Sequence, residues 1–178
     1  MMKTFKFVIV LGIAAICACV TATVDAPNVC DTTSIGTIPA APAVLAGVSV
    51  PPVSFSRPSD LSGTIKKISD VADGVNVSVT QLFLNGDSDL QWISQVDVSV
   101  NGGTPDTPDA PLASYKSSGV DPGNSINLTV QMDTNTAYRY LSNPVTLTFT
   151  VAGQVPDQAV VLTNTMCVEA TGNFSKSL

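Results

Sequence analysis

The chain contains no histidine, a single glutamate and only eight basic residues in 178. Without histidine, the usual proton shuttle of nucleophilic hydrolases is missing, and so is the commonest nitrogen ligand for zinc. A Ser/Lys dyad of SxxK form is missing as well, because the residues three before Lys66, Lys67, Lys116 and Lys176 are Gly63, Thr64, Ala113 and Asn173. Two-carboxylate chemistry would have to draw on aspartates in turn-like contexts or on Glu169. No catalytic residue and no cofactor is therefore expected. Of the 14 acidic residues 13 are Asp, which favours turns and caps, whereas helix interiors draw on the Glu and Lys that are scarce here. With Val, Thr and Ser abundant, the balance predicts a mostly β protein.

Charge excludes a second class. The formal net charge is −6. Setting aside Lys3 and Lys6, which lie in an N-terminal segment of targeting type, leaves 14 acids against 6 bases, or −8. Those bases, Arg57, Lys66, Lys67, Lys116, Arg139 and Lys176, are dispersed. A polyanion needs clustered Lys or Arg, so nucleic acid is not an expected partner.

What is present begins with that segment. Two lysines precede an apolar run from Phe7, which gives way to small residues by Cys19. This is the order of a secretory signal, and the run is too short for a membrane span. Ile16, Cys17, Ala18 and Cys19 resemble the lipobox of bacterial lipoproteins, which implies acylation at Cys19 and attachment to a membrane through lipid. Cys17 departs from the usual small residue at that position. A plain cut after Ala22 is the alternative and would release a secreted protein. Either route leaves Cys30 and Cys167 in an oxidising compartment, where they are expected to pair, two separately buried thiols being the alternative.

From Val20 to Pro58 prolines at 27, 39, 42, 51, 52 and 58 interrupt the chain, which excludes regular helix and argues against central strands. Residues 19–43 are read as a tether and Pro/Ala-rich segment, with about ten free residues ahead of Cys30 reaching roughly 17 Å. Val44 to Val50 are read as a short edge strand. Residues 44–172 form the domain, and 173–178 form a tail. Leu61, Ile65, Ile68 and Val71 carry helical spacing after a cap at Ser59 or Asp60, another strand being the alternative because Gly63 and Thr64 weaken a helix. Val75, Val77 and Val79 alternate with polar residues, as do Val96, Val98 and Val100, so the turn-rich NGDSD between them predicts a hairpin. Residues 101–125, dense in Gly, Pro, Asp and Ser, read as a long loop with one short strand around Leu112 to Lys116. Alternation returns at Ile126 to Met132 and at Val145 to Val151, with a helical turn capped by Asp133 or Asn135 between them. A last strand is predicted over Ala159 to Ala170.

The succession FSRPSDLSGTIKKISDV, a valine-rich strand and a YLSNP turn resembles short envelope lipoproteins of bacteria over roughly residues 45–170. The resemblance implies a single immunoglobulin-like antiparallel β-sandwich of seven to nine strands with one or two helical turns. It supplies no catalytic residues. The expected role is a non-catalytic structural or binding module of the cell envelope, its partner an envelope protein or a carbohydrate. Three candidate features stand beside it. Asn85, Asp87 and Asp89 could offer oxygens to Ca²⁺, though without an EF-hand's glycine and twelfth-position Glu they also fit a solvated turn. Trp92 is the only tryptophan and reads as core or as an exposed aromatic platform. Tyr115 and Lys116 are the aromatic and the base of the long loop, where binding is expected. One of Tyr138 and Tyr140 is expected in the core, and Asn76, Asn127 and Asn173 open sequons that matter only in a eukaryotic source.

Overall fold

The computed structural model describes residues 19–40, 47–70 and 72–177. The signal-like residues 1–18 lie outside them, as do Val44 to Ala46 of the expected strand at Val44 to Val50 and Val71 of the expected helix. Nine strands and two helices are described. Strands β1 (Cys19–Ile38) and β2 (Ser49–Ser59) precede helix α1 (Ser62–Ser69). Strands β3 (Gly74–Gly86), β4 (Ile93–Asn101), β5 (Ala110–Lys116), β6 (Ser125–Asn127) and β7 (Thr129–Val130) follow. Helix α2 (Thr134–Leu141), β8 (Val145–Gln154) and β9 (Val160–Ser177) complete the order. The strands form two antiparallel sheets, ordered β1-β9-β3-β6 and β2-β8-β4-β5-β7. The protein is a mostly β sandwich with two short helices, as the alternation predicts.

The valines of that alternation fill the space between the sheets. Val77, Val96 and Val100 are fully buried, as are Leu82, Leu84 and Phe149. Each comes from a strand with polar residues on its other face, so each sheet turns one side to the core and one to water. The expected β3–β4 hairpin is not formed. β3 pairs with β9 and β6, and β4 pairs with β8 and β5, so the chain crosses from one sheet to the other between Gly86 and Ile93. Leu90 is the reason. It is fully buried, and its amide is held by the carbonyl of Gly123 at 2.8 Å. An apolar anchor in the middle of the connection pulls it through the core rather than around a tight turn.

The Pro-rich segment also departs from expectation. What reads as a tether is the edge strand β1, in register with β9 from Cys19 opposite Ser177 to Ile38 opposite Val160. The expected tail is the end of β9. β2 is an edge strand too, on the other sheet. Prolines lack the N–H that a central strand needs on both sides, and an edge or a bulge tolerates them. Pro27 falls inside the register shift between Ala26 and Val29, and Pro51 and Pro52 inside the shift between Val50 and Val53.

Residues 101–125 are not one loop. β5 lies between β4 and β7, and Leu112 and Ala113 on it are buried. Turns on either side of it carry the Gly and Pro.

The two edges on one side of the sandwich close against each other. Arg57 Nε of β2 donates to the carbonyl of Ser34 on β1 at 3.1 Å. Further along, Phe55 lies where a Cβ on Gly36 would collide with its ring. On the other side the short β6 and β7 bridge the sheets through Leu128, whose amide donates to Leu82.

Both helices pack at the end of the sandwich where the termini meet. In α1, Ile65 and Ile68 face inward, and Ile68 covers Gly172 of β9, where a side chain would collide with it. Leu61 occupies the N-cap position, and Asp60 just before it accepts from the amide of Ser62 at 3.0 Å. In α2, Asp133 is the cap. Its Oδ1 accepts from the amides of Asn135 and Thr136, both at 3.0 Å, and its Oδ2 from the Thr136 hydroxyl at 2.7 Å. The Thr136 hydroxyl first, then the Thr136 and Asn135 amides, hold this carboxyl below its ordinary value. A depressed carboxylate stabilises the fold above its unfolded value, roughly 3.9, and loses that contribution as pH falls through the folded value. Asp133 should therefore titrate below that value in a carboxyl NMR titration, and the α2 amides should lose protection over the same range. Titration at or above the ordinary value would show that the cap is not formed.

Candidate functional site

The connections place the candidate residues at two opposite ends. At the terminal end lie Cys19, Ser177, α1, α2 and the turn from Gly102 to Asp109. At the far end lie the β3–β4 crossing, the β5–β6 turn and the β8–β9 turn. A 20-residue strand separates the ends, a span of roughly 60 Å at the rise of an extended chain.

Asn85, Asp87 and Asp89 reach the far end together and point to different partners. Asn85 Oδ1 accepts from the Ser125 hydroxyl at 2.8 Å, Asp87 Oδ1 from the Val161 amide at 2.9 Å and Asp89 Oδ1 from the Gln91 amide at 2.8 Å. Each oxygen fixes a different piece of backbone or side chain, so the alternate spacing reports a turn tied to β9. Among the described residues no three acidic or cysteine side chains come together as a metal cluster.

Tyr115 and Lys116 belong to β5, not to a loop. Tyr115 lies opposite the buried Val96 and is half-buried against the core; Lys116 is exposed at the strand's end. The two side chains therefore leave on opposite faces and do not form one amphipathic contact. Of the paired tyrosines, Tyr140 is buried and its hydroxyl donates to the Pro108 carbonyl, while Tyr138 is half-buried. Asn76, Asn127 and Asn173 are exposed.

Cys30 and Cys167 are disulfide-bonded. They are direct register partners on β1 and β9, so the bond fastens an edge strand to a neighbour within one sheet.

Two depressions lie among the described residues. One, of about 230 Å³, lies on the outer face of the five-stranded sheet and is bordered by Asp97, Ser99, Asp109, Gln131 and Thr150. It arises where the β4–β5 register shifts between Val98 and Ser99. Its polar groups are already engaged. Gln95 Nε2 donates to Asp97 at 2.6 Å, Asn101 Nδ2 to Asp109 at 2.7 Å, Gln131 Nε2 to the Ser114 hydroxyl at 2.7 Å, and Thr150 shares a 3.0 Å bond with Ser54.

The other depression is apolar and lies at the far end, between the edges of the two sheets. It measures about 240 Å³ and is walled by Ile38, Val53, Phe55, Trp92, Val151 and Val155, with Pro39 and Pro156 also lining it. Trp92, expected either in the core or on an exposed platform, is half-buried there. Sequence reading singles out Trp92 and assigns Val151 to the core; the walls Ile38, Val53 and Phe55 come from proline-interrupted stretches with no period to follow.

No known protein family matches the chain, and no curated protein matches it. Among solved structures it is similar to turnip yellow mosaic virus at 12% identity, covering 98% of this chain and 91% of that one, with a TM-score of 0.29. A structure of the empty head (ATC) of that virus at 100 K gives 10% identity, the same coverage and a TM-score of 0.22. At such scores the likeness carries no argument.

Proposed function

We propose that the protein is a non-catalytic module of the cell envelope, exported by its N-terminal signal and held to a membrane by lipid on Cys19. The observation that carries this reading is the run from Ile16 to Cys19 after an apolar signal core. The fold is compatible with it, since β1 begins at Cys19 and pairs there with Ser177. An acylated Cys19 would hold the sandwich by its terminal end with no long tether, and the far end would stand roughly 60 Å out. Support for a non-catalytic role comes from the missing histidine and from Asp87, Asp89, Asp121 and Asp133, whose oxygens are taken up by backbone amides in turns and caps. A freely secreted binding domain is the second reading, favoured by the small residues Val20 and Ala22 ahead of Thr23.

Intact mass of the exported protein separates the two. A chain that starts at Cys19 and carries acyl groups is expected. An unmodified start near Thr23 removes the anchor and, with it, the first four residue pairs of the β1–β9 ladder.

A further inference from the structure

The disulfide is unequal at its two ends. Met166 and Val168 belong to the core, so Cys167 between them leaves β9 on the outer face of the four-stranded sheet, yet it is only 3% exposed. Its cross-strand partner Cys30 shares that face and is exposed. The difference comes from the neighbouring strands. β1 is the edge of its sheet, with no described strand beyond Cys30. β9 lies between β1 and β3, and both of these shift register beside Cys167, β1 between Ala26 and Val29 and β3 between Val79 and Gln81. Residues left unpaired by the two shifts meet across β9. Thr80 Oγ1 donates to Asn28 Oδ1 at 2.8 Å and lies 3.2 Å from the Cys167 carbonyl oxygen. This bridge joins β1 to β3 over Cys167 and leaves Cys30 outside it.

We propose that Cys30 is the site at which the folded protein exchanges with small-molecule disulfides and thiols, and that Cys167 is the resolving thiol. Exchange needs a thiolate in line with the S–S bond that it breaks, and access decides which sulfur is attacked. Extended past Cys30, the line of the bond leaves the sheet at its free edge. Extended past Cys167, it runs into β3 at Gln81, the register partner of Cys167. In the direction of oxidation, the Cys30 thiolate attacks the S–S bond of the donor, forms a mixed disulfide and expels one donor thiolate. The Cys167 thiolate, held opposite by the β1–β9 register, then attacks Cys30 Sγ and expels the second. The donor takes up the two electrons that the cysteines lose, and their two protons pass to solvent. Reduction by an external thiolate retraces these steps through the same mixed disulfide on Cys30. The chemistry needs only the folded domain and does not depend on lipid at Cys19.

Single-thiol variants of the mature protein, treated with glutathione disulfide, measure the two ends separately. Cys167→Ser, which leaves Cys30, should form its mixed disulfide roughly tenfold faster or more than Cys30→Ser, which leaves Cys167. In urea, where the cover is gone, the two rates should converge. Adding Thr80→Ala to Cys30→Ser removes the bridge to Asn28 and should raise the Cys167 rate severalfold. A second readout uses the unaltered sequence and so does not depend on the variants folding. Reduced protein, pulsed with glutathione disulfide and quenched in acid, should at the earliest times carry glutathione on Cys30, located by peptide mass. Equal native rates in the two single-thiol variants, early adducts on Cys167 or divided evenly, or no adduct on either cysteine overturn the assignment of Cys30. An unchanged Cys167 rate in the Thr80→Ala background overturns the role given to the bridge.

Discussion

Replacing Asn101–Ser125 with a short Gly/Ser linker is expected to abolish folding. The segment looks dispensable in composition, yet it contains β5, which contributes six register pairs to β4 and two to β7. Leu112, fully buried, goes with it, and so does Ala113. Losing a buried leucine alone costs roughly 2–5 kcal/mol. The replacement also unpairs one side of β4, whose Val96, Val98 and Val100 belong to the core, and removes the Pro108 carbonyl that meets Tyr140. Summed against a total stability of about 5–15 kcal/mol for a typical domain, these losses leave little margin. A narrower replacement, of Ser118–Pro122 only, should keep the fold. It spares the Ser117 amide on Ser94 and the carbonyls of Gly123 and Asn124 that hold Leu90 and Gly86. Amide dispersion in an NMR spectrum decides both cases, and a well-dispersed spectrum from the long replacement would show that β5 is not needed.

That contrast shows what could be read from the chain. Alternation identifies an inward face wherever it runs unbroken. Val77 and Val79, Val96 to Val100 and Leu147 to Val151 are buried as expected. Alternation does not identify a strand's partner. A strand with one apolar face fits equally beside its sequence neighbour or across the core from it, and the choice between β3 and β4 was made by Leu90, one apolar residue in a segment otherwise rich in turn formers. β5 looks shorter in the sequence than it is for a related reason. Its bulge puts Leu112 and Ala113 both inside, which breaks the period of two.

Proline misled in the opposite direction. It correctly argued against central strands, but β1 and β2 are long strands that place Pro27, Pro51 and Pro52 at register shifts on sheet edges. The apolar depression inherits this difficulty. Its walls at Ile38, Val53 and Phe55 lie on those same two strands, and they meet only because both edges fall on one side of the sandwich. Nothing local in the sequence brings them together.

Removing the disulfide should have the other large effect. Cys30 and Cys167 are 137 positions apart, so the bond closes nearly the whole domain into one loop. For a loop of that length the chain-entropy account gives on the order of 5 kcal/mol, and measured losses for native disulfides run from about 2 to 5. For a chain of this size that corresponds to a fall of roughly 4–20 °C in Tm. The double variant Cys30→Ser/Cys167→Ser is the cleaner test, because it leaves no free thiol. The position of the bond also predicts where the loss appears. Among the described strands β1 has β9 as its only neighbour in its sheet, whereas β3 is held by both β9 and β6. In the double variant, the amides of β1 should therefore exchange with solvent well before those of β3. Thiol labelling of the unreduced, unfolded protein checks the premise. Labels at both Cys30 and Cys167, or a double variant that melts with the unaltered protein, would show that β1 is held by its backbone ladder alone.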